Sequence, residues 1–319
     1  MIMKINQDTN LLKQKRYSRI ENSAAESFDF ADFGKAITYP FKFKKSLVFG
    51  ATIFTLFILG HSVLEIFTSM FVASIVCLVF AGILISSCLI RTIQNFSDGK
   101  TKSNFLPAFD GISFWDDIIR PVFLSLAVYF VSFGLLIILI AGAIWYAKDA
   151  ENRIEADKQK ILSVILPASQ TNIEQNTESK SLSFQQTAGT VMRLSLVFSV
   201  PMFLALLWGI FYFPVACVIA AHNESFIAIL NPSIGFDTVK RIGFDYWKIV
   251  GVFLILAVSL LGLNAILQTI FSPFDLPLLG NLPVKTVVSF STFYLSIVFA
   301  VVLGITLFKN SARLKFRRV

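Results

Sequence analysis

The chain has 319 residues, of which 55% are hydrophobic and only 15% charged. Soluble domains carry about 25% charge, and the apolar runs here exceed the roughly 18 residues that mark a membrane helix. A soluble or disordered protein is excluded, and the runs argue against an outer-membrane barrel with its alternating strands of about 10 residues. The net charge of +8 comes with no nucleic-acid motif. It reads as basic flanks of membrane helices against anionic headgroups, so the lipid bilayer and not nucleic acid is the expected partner.

The fold class is all-α: a polytopic helical membrane protein with six transmembrane helices. Residues 1–45 are polar and basic, too long and polar for a signal peptide. Within them, 28–39 places Phe28, Phe30, Phe33 and Ile37 beside Asp29, Asp32 and Lys35, the pattern of a short interfacial helix. The spans fall at about 46–67, 69–91, 121–146, 191–221, 247–270 and 285–308, each long enough to cross a core of about 30 Å. Only Thr68 and Ser69 separate the first two. The organisation is therefore 1–45 as a cytoplasmic segment, 46–146 as helices one to three with a cytoplasmic loop 92–120, and 147–190 as a periplasmic hydrophilic segment. Helices four to six follow over 191–308 with a cytoplasmic loop 222–246, and 309–319 is a basic tail.

Lysine and arginine set the orientation. With the N-terminus inside, 21 fall on the cytoplasmic side and seven outside, which predicts both termini in the cytoplasm. In the outer segment, Asp149 with Arg153 and Asp157 with Lys160 sit at helical spacing, so the third helix is expected to run beyond the bilayer until Pro167. From Ser169 to Thr190 the Ser, Thr, Gln and Asn content reads as a flexible linker. A small functional external domain is the alternative.

Sliding the chain by 130 residues lays 112–128 on 242–258 with nine of seventeen identities. In each copy a polar cytoplasmic loop leads through an aromatic amphipathic stretch into the next span, as in a parallel internal repeat. Phe114, Trp115, Tyr246 and Trp247 are the candidate interfacial contacts. Asn231-Pro232 predicts a turn before the second stretch. Asp116, Asp117 and Arg120 before span three read as headgroup-level ion pairing.

His61 and Glu65 share a face at i and i+4 near the end of span one, and Asn264 and Gln268 do so in span five. These four form the candidate intramembrane polar site. The first pair suits proton relay or cation binding, or else anchoring at the interface. The second suits helix–helix hydrogen bonding or a polar path. His222 lies at the other membrane face, so the two histidines cannot share a metal. Cys77, Cys88 and Cys217 all lie in apolar runs and read as small hydrophobes. No catalytic, cofactor-binding or metal-ligating residue is expected. There is no Walker A, HExxH or GxSxG motif, and no Ser/His pair is readily placed on one membrane face. Pro201 and Pro214 are candidate kinks in span four.

The segment Phe33-Gly34-Lys35-Ala36-Ile37-Thr38-Tyr39-Pro40-Phe41-Lys42 resembles the opening of uncharacterised bacterial multipass proteins. These are domain-of-unknown-function groups similar to the Yip-type and YciC-type membrane families. Asn231-Pro232 and Arg241-Ile242-Gly243-Phe244-Asp245-Tyr246 resemble theirs too. The resemblance covers the six-span plan and two short motifs. It implies a bacterial inner membrane and no catalytic residues. The expected role is non-enzymatic: organising membrane, lipid or protein partners, with a membrane-protein partner or a homo-oligomer both open. The alternative is a small permease with a site between the repeated hairpins, and an integral-membrane enzyme comes third.

Overall fold

Backbone amides that leave water must all be satisfied within the chain, and long apolar segments satisfy them as helices. The computed structural model describes residues 27–106, 115, 119–165, 175–223 and 225–314. Its helices are α1 (Phe30–Lys42), α2 (Lys44–Leu64), α3 (Phe71–Ser97), α4 (Arg120–Ile165), α5 (Gln175–Asn223), α6 (Phe226–Leu230), α7 (Pro232–Ile242), α8 (Phe244–Ile270), α9 (Leu282–Lys309) and α10 (Ser311–Leu314). The only sheet among the described residues is a two-residue antiparallel pair between α8 and α9, β1 (Asp275–Leu276) and β2 (Gly280–Asn281). Among the described residues, six helices are long and apolar enough to cross a membrane: α2, α3, α8, α9, and the stretches Arg120–Asp149 of α4 and Phe198–Asn223 of α5. They coincide with the six expected spans to within a few residues, except that α5 begins well before its own.

Local chemistry sets the boundaries. Asp29 caps α1, and its carboxylate and that of Asp32 each accept the other residue's backbone N–H in a capping box. Phe43 breaks the chain between α1 and α2, and its N–H returns to the Pro40 carbonyl. Asn231 caps α7 with Pro232 in its first turn, at the expected Asn-Pro turn. Between α2 and α3 the chain makes a 3-10 turn at Thr68–Met70. The linker reading of Ser169–Thr190 is corrected from Gln175 onward, where α5 is already helical. Ser, Thr and Gln cannot bury a core, yet a helix nucleated by its apolar half extends by closing one backbone bond per residue. The same physics carries α4 past the bilayer length to Ile165, with Arg153 on Asp149 at 2.9 Å. Both α4 and α5 are long, and α5 stays helical through Pro201 and Pro214. The first copy of the expected repeat, with Phe114, Asp116 and Asp117, lies outside the described residues apart from Trp115 and 119–128.

The chain divides into two compact units, Met1–Val128 with Tyr212–Val319, and Tyr129–Phe211. In the second, the α4 and α5 segments pair antiparallel. Trp208 Nε1 donates to the Val131 carbonyl at 3.2 Å, and the Tyr146 and Phe198 rings lie 6.3 Å apart.

In the first unit α9 packs against α1, α2, α3 and α8. In its most apolar window 56% is buried, against 28% for α2, 33% for α3 and 22% for α8. Every residue from Ile297 to Gly304 is buried. Phe293 is fully enclosed, with the Phe54 and Phe105 rings 6.0 and 6.3 Å away. Phe213, Phe253 and Phe299 join α5, α8 and α9 at ring separations of 5.2 to 6.1 Å. Gly304 lets α3 approach: a Cβ there would sit 2.4 Å from Phe96 Cβ and 3.0 Å from the Ile93 carbonyl oxygen.

Gly304→Ala should therefore lower the unfolding midpoint in mild detergent, at a cost of about 1–3 kcal/mol for overpacking. Gly262→Ala on α8, where a Cβ meets nothing within 4 Å, should not. Equal midpoints for the two variants would show that the α3–α9 contact is not tight.

Candidate functional site

One end of the first unit gathers α1, the turn after α3, the start of α8 and the end of α9. Its centre is Asp32, 3% exposed. A carboxylate taken out of water needs cations and donors around it, and α1 turns Asp32 inward toward three. Lys309 Nζ, from the last residue of α9, reaches Oδ2 at 2.6 Å. Lys35 Nζ reaches Oδ1 at 3.0 Å. The Asp29 N–H donates to Oδ2 at 3.1 Å. Lys309 also donates to the Ser27 carbonyl at 3.2 Å.

A second carboxylate, Asp245 in the first turn of α8, is 5% exposed. It accepts from Lys248 at 2.9 Å and from Asn310 Nδ2 at 3.4 Å. Asp245 also hydrogen-bonds the Phe28 backbone, and Lys248 donates to the Phe28 carbonyl at 2.8 Å. The residues leading into α1 are thus held by α8 and α9 together. Farther along α1, Tyr39 OH donates to the Ser103 carbonyl at 2.5 Å, and Tyr294 OH of α9 donates to the Ile37 carbonyl at 3.0 Å.

Burial pushes the Asp32 carboxyl up, but the hydrogen bonds from Lys309, Asp29 and Lys35 and the Lys309 charge outweigh it and hold it below its ordinary value of 3.8. Burial pushes the Tyr39 hydroxyl up to about 12, so it remains a neutral donor at physiological pH. The arrangement is a lock: both oxygens of Asp32 and of Asp245 accept from donors on other residues. With one face of α1 fastened by Asp32, Ala36, Tyr39 and Pro40, another is open in part: Phe30 is 87% exposed, Phe41 51% with its ring against Tyr294, and Ile37 37%.

Among the described residues, no hydrogen bond or ion pair joins His61 and Glu65 to Asn264 or Gln268. His61 Nδ1 lies 2.6 Å from Ser74 Oγ on α3, and Ser74 Oγ donates to the His61 carbonyl at 3.2 Å. Glu65 Oε2 is 3.9 Å from His61 Nε2. Asn264 is half-buried and Gln268 exposed, and among the described residues no side-chain hydrogen bond reaches either. The expectation that no Ser/His pair shares a membrane face is corrected. The close turn between α2 and α3 stacks the last turn of one against the first turn of the other and brings Ser74 onto His61. Ser74 is 1% exposed, its hydroxyl spent between the ring and a carbonyl, which is helix–helix packing and not an accessible nucleophile. His222 stands at the other end of the unit, in a small cavity with Asp237, Arg241 and Leu314.

Of the expected interfacial contacts, Trp115 and Trp247 are exposed, at 62% and 60%. Phe114 lies outside the described residues. Tyr246 is corrected: it is fully buried and hydrogen-bonds the Val215 backbone. Neighbours on a helix point about 100° apart, so Phe244, Tyr246 and Trp247 cannot share one face. Sequence reading also missed the pairing of Asp32 with Lys309 and of Asp245 with Lys248 and Asn310. The Asp29-x-x-Asp32 spacing was a legible capping signal, but nothing local ties residue 32 to residue 309.

The family model DUF4013, described as a protein of unknown function, matches residues 70–270. No curated protein and no solved structure matches the chain.

Lys309→Met takes from the buried Asp32 its closest cation, and Asp32→Asn takes the charge from beside the buried Lys309; each should destabilise by up to about 3–5 kcal/mol, the cost of breaking a buried pair. Each should raise hydrogen exchange at the amides of Ala36 and Tyr39 and trypsin cleavage at Lys42–Lys45; unchanged protection would deny the lock its role. Because the folded Asp32 value is depressed, its stabilisation is whole above 3.8 and is lost as pH falls through the lower folded value. The wild-type helix should therefore stay protected at neutral pH and loosen only in stronger acid.

Proposed function

We propose, for a chain that belongs to the DUF4013 family of unknown function, a non-enzymatic role as a multi-pass protein of a bacterial inner membrane. It organises the lipid surface or a membrane-protein partner, a second copy included, from its cytoplasmic side. One observation carries this reading. α1 is fastened by a buried ion pair on one face and on another keeps Phe30 exposed and Phe41 and Ile37 partly so. A helix held that firmly, with an apolar stripe left open, is built to lie at a headgroup boundary or against a partner. Exposed Trp115, Phe244 and Trp247 add aromatic groups suited to the same layer.

The permease reading requires His61, Glu65, Asn264 and Gln268 around one water-filled path. It loses support from the Ser74 contact of His61 and the exposure of Gln268. The parallel repeat belongs to either reading and rests on the nine shared residues. Both termini in the cytoplasm follow from the lysine and arginine bias.

Two tests separate the readings. A periplasm-dependent reporter fused after Gln175 should be active, and silence there reverses the orientation. In a strain lacking the native copy, Trp115→Ser with Trp247→Ser should fail to restore the wild-type phenotype, while Glu65→Gln should restore it. If Glu65→Gln alone fails, the organising role is wrong and a polar path is needed.

A further inference from the structure

The structure assigns a second feature to the lock end: we propose that a cleft along α1 binds the phosphate headgroup of an anionic phospholipid. The cleft holds about 840 Å³, within the roughly 300–1,000 Å³ of small-molecule sites. α1 forms one wall, the end of α3 with the turn after it forms the second, and the end of α9 the third. Its floor is apolar, built from Tyr39, Phe96, Ile305 and Phe308. Its charged lining is Lys35, Lys42 and Lys309 against Asp29 and Asp32.

How those charges are spent selects the ligand. Asp32 is taken up by Lys309 at 2.6 Å and Lys35 at 3.0 Å. Asp29 accepts the Phe30 N–H at 2.6 Å. Lys42 has no hydrogen bond or ion pair among the described residues. Lys35 has spent one donor on Asp32, and its side chain is 70% exposed. Three lysines against two aspartates leave the lining one net positive charge. Lys42 and Lys35 stand two turns apart on the same side of α1, about 10 Å along its axis. Two flexible ammonium groups over an apolar floor fit a phosphate carried by an apolar body. The membrane supplies that body: α2, the first span, starts at Lys44, so the Lys42 end of the cleft opens where headgroups lie. There a lipid phosphate meets Lys42, and its glycerol reaches the floor. A soluble phosphate would leave the aromatic floor unused.

This inference rests on the membrane-organising reading for the source of the ligand and names the lipid class that reading left open. Delipidated protein in mild detergent, titrated with phosphatidylglycerol and read by native mass spectrometry, should retain the lipid at fixed stoichiometry and should retain phosphatidylcholine less. Lys42→Gln and Lys35→Gln should each weaken retention about fivefold, the worth of one lysine at a lipid surface. Thr101→Trp, which fills the cleft from its wall, should weaken it at least as much. Lys240→Gln, on an exposed position of α7, should not. Equal retention in all these variants overturns the site. Binding of glycerol 3-phosphate with the same Lys42 dependence, enough to displace the lipid, overturns the lipid as the source. If retention fails these tests while the Trp115 and Trp247 variants still lose function, the cleft ligand is removed and the organising role stands.

Discussion

A carboxylate and an ammonium withdrawn from water cost several kcal/mol each unless they meet with good geometry. Asp32 and Lys309 meet at 2.6 Å with both side chains nearly buried. Much of the first unit follows from that contact. It joins the first described helix to the last residue of α9, the most enclosed of the spans packed around it. Once Lys309 is fixed, Asn310 follows it and reaches Asp245, whose neighbour Lys248 holds the Phe28 carbonyl. Buried ion pairs add little net stability compared with apolar packing. This one sets α1 against the last residue of α9.

The spans were legible because lipid imposes a length and an apolar composition that no soluble core demands. The same rule hid what distinguishes one span from another. The most apolar windows of α8 and α9 have mean hydropathies of 2.6 and 2.2, yet 22% of one and 56% of the other is buried. When the solvent is a hydrocarbon, a side chain facing lipid and one facing a neighbouring helix look alike in sequence, and small residues such as Gly304 carry the difference. The short helices before the spans were legible from their mixed periodicity, and α1 and α7 fall where Phe28–Tyr39 and Asn231–Pro232 predicted them. Which aromatic residue of a cluster turns inward was not, as Tyr246 shows beside Trp247.

The candidate polar site divided along the same line. His61 and Glu65 share a helix face by spacing alone, and they stay together in the structure at 3.9 Å. Ser74 joined them through a turn whose geometry no residue pattern announces. Asn264 and Gln268 share spacing of the same kind but found no side-chain partner among the described residues. Spacing within a helix is a local property; contact between helices depends on which faces pack.

The place of α9 in chain order has a consequence for biogenesis. A ribosome adds about 5–20 residues per second, so α2 and α3 are made roughly ten to forty seconds before α9 emerges. During that interval Gly50, Phe54, Ile93 and Phe96 face no α9, and Asp32 has no Lys309. The early hairpin enters the bilayer with a vacant groove along it, and the last span is the piece that closes the groove. A ribosome stalled before residue 282 would leave a nascent chain whose six-span plan is mostly inserted but whose N-terminal helix is undocked. Until the last span arrives, Asp32 is held by Lys35 and the Asp29 N–H alone, and the groove that α9 fills stands open.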